Sequence, residues 1–281
     1  MTATAVPIAL GGPPESVARR GARSIARNLP WLYVAVVVLY LVLPIGVIAL
    51  FSFNDPVSKS NLVWHGFTLK YWLNPLGVPG LADALATSLR IAFSSTAVAT
   101  ILGTLIALAL VRYDFRGKGL ANLLIFLPMA TPEIVLGASL LTLFVQVGQP
   151  RNELTILIAH IMFNISYVVV TVRARLAGFD RNLEEAAMDL GANPWTTFWR
   201  VTFPLILPGI VAAALLAFSL SIDDFVITNF TAGSTVTFPM FIWGAARIGV
   251  PVQVNVIGTI IFVAAIALVA ISTLAQRRRA A

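Results

Sequence analysis

The sequence contains no cysteine, only two histidines, and few charges, with Asp, Glu, Lys and Arg making up 11% of 281 residues. The missing cysteines exclude disulfides, thiol catalysis and cysteine-held zinc or iron–sulfur centres. A G-x-x-x-x-G-K-[ST] phosphate loop is missing too. Arg116-Gly117-Lys118-Gly119 has neither its spacing nor its final hydroxyl. ATP is therefore not expected to be held by such a loop in this chain. No fixed-period repeat or low-complexity tract is present.

What fills the sequence instead is apolar: 58% of the residues are hydrophobic and the mean hydropathy is +0.89. A soluble domain is about 45–50% apolar and about 25% charged, so the excess points to a bilayer as the solvent. The formal net charge of +7 suits nucleic acid only when it forms a basic soluble face. Here the charges fall between apolar runs, and no nucleic-acid partner is expected.

A bilayer core about 30 Å thick takes roughly 20 apolar residues in a helix. Six segments meet that length, at about Trp31–Phe53, Ala84–Val111, Asn122–Val147, Leu154–Val172, Leu205–Phe230 and Val252–Ala275. The expected fold is all-α and polytopic, with six transmembrane helices. It divides into a basic N-terminal segment (1–30), a membrane domain (31–275) and a basic tail (276–281). The first span is longer than a signal-peptide core and no A-x-A site follows it, which favours a retained helix over a cleaved signal. Ahead of it, 16–28 reads either as a short helix lying on the membrane surface or as a disordered basic tail.

With the N-terminus inside, the inner segments hold Arg19, Arg20, Arg23, Arg27, Arg112, Arg116, Lys118, Arg173, Arg175, Arg181, Arg200, Arg277, Arg278 and Arg279. The outer segments hold only Lys59, Lys70, Arg90, Arg151 and Arg247. Lys and Arg concentrate on cytoplasmic loops, so both termini are expected in the cytoplasm of a multi-pass plasma-membrane protein. Trp31 and Trp243 read as interfacial anchors, and Gln253 and Asn255 as ordinary interface polar residues.

Ionisable residues inside spans are costly and usually face a bundle interior, a partner or a water path. Glu133, expected near the start of the third span, and Asp223 and Asp224 in the fifth are candidates to line a translocation path; His160 is a weaker one. Adjacent helix positions point about 100° apart. One aspartate could therefore face a path while the other bonds a neighbouring helix; all of these acids could instead cap helix ends or pair across helices. Whether Thr231–Gly249 folds back as a gate stays open.

The segment from about 173 to 204 is too long for an unstructured connection. Asn182 with Glu185 forms a capping-box spacing that predicts a helix through Leu190. Gly191 suits the left-handed residue that ends it, and Asn193 with Pro194 starts a second helix. This helix–turn–helix is either a docking element for another protein or an amphipathic elbow fastened to the membrane by Trp195, Phe198 and Trp199.

Glu185-Ala186-Ala187, three residues, Gly191, nine residues and Val201-Thr202-Phe203-Pro204 resemble the EAA loop of binding-protein-dependent ABC importer permeases. Val201 and Phe203 replace the isoleucine and leucine of that motif. Trp64–Leu69, Leu127–Gly137, Ser219–Phe225, Gly249-Val250-Pro251 and Val254-Asn255 resemble its spermidine/putrescine branch, in the same order. The resemblance implies a type I importer permease whose Glu185, Ala186, Ala187 and Gly191 couple to a cytoplasmic ATPase. It also implies two ATPase copies that hold the ATP and Mg, a second permease, an extracytoplasmic solute-binding protein and surrounding membrane lipid as partners, with no cofactor or metal bound directly and no enzymatic activity in the chain itself. The cargo it implies is a small cationic solute, a polyamine before an opine or phosphonate. An ion-coupled secondary transporter and a membrane-embedded aspartyl enzyme are the competing readings. The first lacks the internal repeats common to that class, and the second needs carboxylates brought together from separate elements.

Overall fold

A computed structural model describes the backbone of residues 17–280 and the side chains of residues 30–267 and 270. The side chains of the basic segments, including the orienting arginines at 19–27 and 277–279, lie outside the described residues. The described chain is helical, and its one β-bridge joins Asn54 to Phe67. In order it forms α1 (Val17–Phe51), α2 (Lys70–Leu73), α3 (Leu81–Arg112), α4 (Lys118–Ala130), α5 (Glu133–Gln146) and α6 (Glu153–Ala177). These are followed by α7 (Asn182–Asp189), α8 (Pro194–Thr197), a π-helical turn (Phe198–Thr202), α9 (Phe203–Asp223), α10 (Val226–Thr231), α11 (Phe238–Ile248) and α12 (Val252–Ala280).

Four helical runs are each long and apolar enough to cross a bilayer unaided: Pro30–Phe51, Leu81–Arg112, Glu153–Ala177 and Pro194–Asp223. Of α12, the apolar part within the described residues is Val252–Ala267. The third expected span is two helices, α4 and α5, bent by 109°. Pro132 removes a backbone donor at the bend, and Thr131 is extended (φ −83°, ψ 133°). Glu133 consequently opens the second half of this span rather than lying near its start.

The core is a three-helix contact of α3, α6 and α9. Ala99 and Ala107 of α3, Val168, Val169 and Val172 of α6, and Ile206, Ala213 and Ala217 of α9 are buried together. In lipid no hydrophobic force draws helices together, so small residues that let backbones approach carry the packing. Gly103 marks a close approach of α3 to α6, since a Cβ there would lie 2.6 Å from Val168 Cγ1. α4 and α5 flank this core, and α10 packs on α5 and α6. Helix α1 packs on α12 and meets the loop after it through Phe51, which lies against Trp64 and accepts from Asn61, and none of its apolar window is buried.

The fifth span also departs from expectation. Rather than running to Phe230, α9 stops at Asp223, and Asp224 turns extended (φ −63°, ψ 120°) before α10 begins. The segment after α10 returns to the bundle. Thr155 Oγ1 donates to the Thr231 carbonyl (2.8 Å), and the Phe238 amide donates to Ser88 Oγ (2.8 Å).

Candidate functional site

Two places collect the residues singled out by the sequence: one midway along the bundle, the other at the end where α7 lies.

At the first, α9 ends beside the middle of α3. Ser221 Oγ lies 3.0 Å from Ser95 Oγ. Ser95 is 14 residues into a 32-residue helix, or about 21 Å along a length of about 48 Å at 1.5 Å per residue. The break between α4 and α5 borders the same space. A cavity of about 580 Å³ opens between the two interruptions, lined by Pro128–Glu133, Leu136, Phe163, Tyr167, Leu220 and Asp223–Ile227. All three acids thus meet at one cavity. The carboxyl-terminal end of α9 adds the partial negative charge of its unpaired carbonyls.

The two aspartates divide their tasks. Asp224 is tied down: its carboxylate accepts from the Thr228 amide (2.8 Å), Thr228 Oγ1 (2.7 Å) and the Ile227 amide (3.4 Å), with His160 Nε2 at 3.3 Å. It thereby caps α10 in the manner of a helix N-cap. His160, buried on α6, spans the network, with Nδ1 2.7 Å from Ser221 Oγ and Nε2 2.9 Å from Thr228 Oγ1. Since Thr228 Oγ1 gives its one proton to Asp224, it accepts from His160, which makes Nε2 the donor toward Thr228. Asp224→Ala strands the Ile227 and Thr228 amides, and is expected to cost about 1–3 kcal/mol. The check is thermal unfolding of the purified protein in nanodiscs, where Asp224→Asn should lose less.

Asp223 and Glu133, by contrast, are exposed to the cavity, and neither has an ion-pair partner among the described residues. Asp223 and Phe225 also line a second, apolar cavity of about 550 Å³ between α9, α11 and α12. Trp243 sits there, its ring 5.1 Å from that of Phe225 and 5.5 Å from the Arg247 guanidinium. This tryptophan is thus part of a cavity wall as well as a half-exposed surface residue. Ser95, Ser221 and Thr228 escaped the sequence reading. Their only signal was hydroxyl residues recurring in otherwise apolar spans, a pattern that usually reports a bond back to the preceding turn.

At the second place, α7 stands off the bundle end. Gly191 takes φ +89°, and the Asn193 side chain accepts from the Thr196 amide (2.8 Å) with Pro194 opening α8. The expected capping box is not formed. Arg181 is already helical, and it is Asp180 Oδ1 that accepts from the Asn182 amide (3.0 Å), which leaves Glu185 free and exposed. Glu185, Ala186, Leu183 and Leu190 are exposed, whereas Ala187 is half-buried. Glu184 turns the other way. Its carboxylate pairs with Arg112 at the end of α3 and accepts from Thr202 Oγ1 in the π-helical turn. Nearby, Lys118 Nζ donates to Asp114 Oδ1 (2.7 Å) and holds that exposed carboxyl below its usual range.

Comparison with known proteins bears on both places. The family described as "Binding-protein-dependent transport system inner membrane component" matches residues 99–279. The chain is 39% identical over 247 residues to the spermidine/putrescine transport system permease protein PotC of Haemophilus influenzae, covering 88% of this chain and 95% of that one. It is 37% identical to PotC of Escherichia coli (90% and 96% covered) and 39% identical to the putrescine transport system permease protein PotI of that species (83% and 85%). The fold resembles a bacterial ABC transporter that imports the acidic polysaccharide alginate, with a TM-score of 0.63 at 18% identity over 94% of this chain and 99% of that one.

Proposed function

The chain belongs to the family of binding-protein-dependent transport system inner membrane components, and on that premise we propose that it forms half of the path by which an ATP-driven importer admits a polyamine such as putrescine or spermidine. One observation carries the proposal: two interrupted helices meet around a single cavity that presents the carboxylates of Glu133 and Asp223, neither in an ion pair among the described residues. Helix interruptions at mid-membrane are where transporters place cargo. Acidic walls there attract an ammonium and oppose a phosphonate. The relatives named for polyamine transport favour the same cargo.

The remaining parts of the proposal follow the family. Six crossings, counting the bent pair and α12 as one each, would put both ends of the chain on one side of the membrane, and the bias of Lys and Arg supports the cytoplasm as that side. The domain division is 1–30, 31–275 and 276–281. A second permease and lipid cover the bare face of α1, two ATPase subunits holding ATP and Mg dock on α7, and a solute-binding protein delivers cargo from outside. ATP-driven closure of the ATPase pair draws the α7 helices of the two permeases together and opens the path outward; hydrolysis resets it inward. Glu185, Ala186 and Gly191 are the docking residues, with Ala187 packing α7 on its inner side.

Reconstitution with its ATPase, sister permease and binding protein in liposomes tests this. Uptake of labelled putrescine or spermidine is expected to require internal ATP and external binding protein. Gly191→Trp is expected to reduce ATPase capture and uptake together, because a non-glycine residue at φ +89° strains the turn behind α7. An assembled wild-type complex that hydrolyses ATP yet admits no amine would overturn the cargo. Undiminished capture by the variant would overturn the docking assignment.

A further inference from the structure

We propose that Arg112, Glu184 and Thr202 form a transmission joint that delivers the motion of α7 to α3, making Arg112 and Glu184 positioning residues for transport. The inference rests on the reading that α7 docks the ATPase. Through the chain itself, α7 is joined only to its neighbours, to α6 through 178–181 and to α8, the π-helical turn and α9 through 190–193. Helix α3, which forms the core with α6 and α9, has no covalent link to α7 nearby.

The joint supplies that link. Glu184 is largely buried, its side chain 16% exposed, and its carboxylate bonds the Arg112 guanidinium from α3 and the Thr202 hydroxyl from the π-helical turn. Arg112 also reaches Thr202 (3.4 Å), closing a triangle among three elements. A second tie runs parallel: Arg181, one residue ahead of α7, donates to the Val111 carbonyl (3.1 Å). The terminal carbonyls of α3 are the orphan acceptors of a helix end, and a cation there is favourable.

The geometry also sets the direction of force. On α7, Glu184 faces the bundle while Leu183, Ala186 and Leu190 lie on the exposed side. A protein pressing that exposed side pushes Glu184 against Arg112, and the push reaches the last turn of α3. At the middle of the same helix, Ser95 meets Ser221 and so the His160–Asp224 network at the end of α9. Helix α3 therefore connects the docking loop to the cavity without passing through the π-helical turn. That turn is a five-residue irregularity between α8 and α9, and such turns mark places where a helix yields.

Two features separate this role from simple stabilisation. Glu185, next in sequence, is exposed and its carboxylate bonds nothing among the described residues, so the two glutamates are not interchangeable. The pair is also electrostatic, so exchanging its charges should preserve the bond. The experiment compares Glu184→Arg, Arg112→Glu and the double exchange in the complete reconstituted transporter. It measures ATPase capture, ATP hydrolysis stimulated by the binding protein, and putrescine taken up per ATP hydrolysed.

Each single variant is expected to capture the ATPase and hydrolyse ATP. Uptake per ATP should fall by roughly 5- to 150-fold, the span of ordinary coupling between sites, and the double exchange should restore most of it. Single variants that keep the wild-type uptake per ATP would overturn the joint. So would single variants that lose ATPase capture and uptake in proportion, which is the mark of a misplaced loop. Should a reversed single charge prevent insertion, Glu184→Gln supplies the same ratio with a milder change. If wild type itself captures no ATPase, the docking reading fails, independently of the joint.

Discussion

Asp223→Lys is expected to abolish amine uptake while the transporter still assembles and binds its ATPase. The side chain faces the cavity and takes part in no ion pair among the described residues, so its removal leaves no buried partner stranded. The fold should therefore tolerate the change, and the effect should fall on cargo. A cation about 5 Å from a carboxylate gains about 3 kcal/mol at an effective dielectric of about 20, and lysine turns that attraction into a similar repulsion. A swing of about 6 kcal/mol corresponds to roughly four powers of ten in occupancy. Asp223→Asn loses the attraction alone and should retain measurable uptake. Glu133→Gln should weaken it further when combined with Asp223→Asn, because both acids border the same space. The measurement is initial uptake of labelled putrescine at saturating binding protein, read beside ATP hydrolysis. Wild-type uptake by Asp223→Lys would place the path elsewhere.

The second large effect is expected at Gly103. A Cβ at this position would meet Val168 Cγ1 at 2.6 Å, Val168 Cβ at 2.7 Å and the Ile165 carbonyl oxygen at 3.3 Å. Val168 is fully buried and, as a β-branched residue, has little rotamer freedom with which to retreat. Helices α3 and α6 must separate, and the gap spreads along Ala99 and Ala107, which lie one helical turn either side on the same stripe. Overpacking of this kind costs about 1–3 kcal/mol in a soluble core. Here lipid can enter a widened seam without hydrophobic penalty, so the lost packing is not recovered. Gly103→Leu is expected to leave little folded permease on size-exclusion chromatography in mild detergent. Gly103→Ala should lose part of it, and Val168→Ala in the same chain should restore that part by making room. Failure of the double variant to improve on Gly103→Ala would mean that the seam is not what limits folding.

What was legible in the sequence depended on how far each signal had to reach. Gly191 and the Asn193–Pro194 pair act within one turn of chain, and their roles as a left-handed stop and a helix start appear in the structure as the residue types imply. The family resemblance spread over the loop at 185–204 is matched by relatives 37–39% identical across most of the chain. Where two local solutions competed, the sequence misled. Asn182 has the capping-box spacing, but Asp180 reaches the Asn182 amide first, so the helix begins without it.

The end of α9 at Asp223 was not legible at all. Hydropathy runs on through Phe225-Val226-Ile227, and the break is fixed by Asp224 turning back onto its own chain under His160, a residue of another helix. The same holds for Arg112. From the sequence it is one of many basic residues that orient the chain, and only the fold brings it to Glu184. Conversely, the expectation that one aspartate would line a path while its neighbour bonded a helix rests on helical geometry alone. In the structure Asp224 has left the helix and bonds Thr228 beside His160 while still bordering the cavity, and Asp223, the last helical residue, is exposed to the same cavity.

The pairing of α1 with α12 bears on how the protein is made. The first span leaves the ribosome long before its partner exists, because about 200 residues separate Phe51 from Val252. At about 5–20 residues per second, that is a wait of roughly 10–40 s. Throughout that interval the face of α1 that will meet α12 has only lipid, or another subunit, against it. A chain without α12 would therefore keep that face of α1 unpartnered.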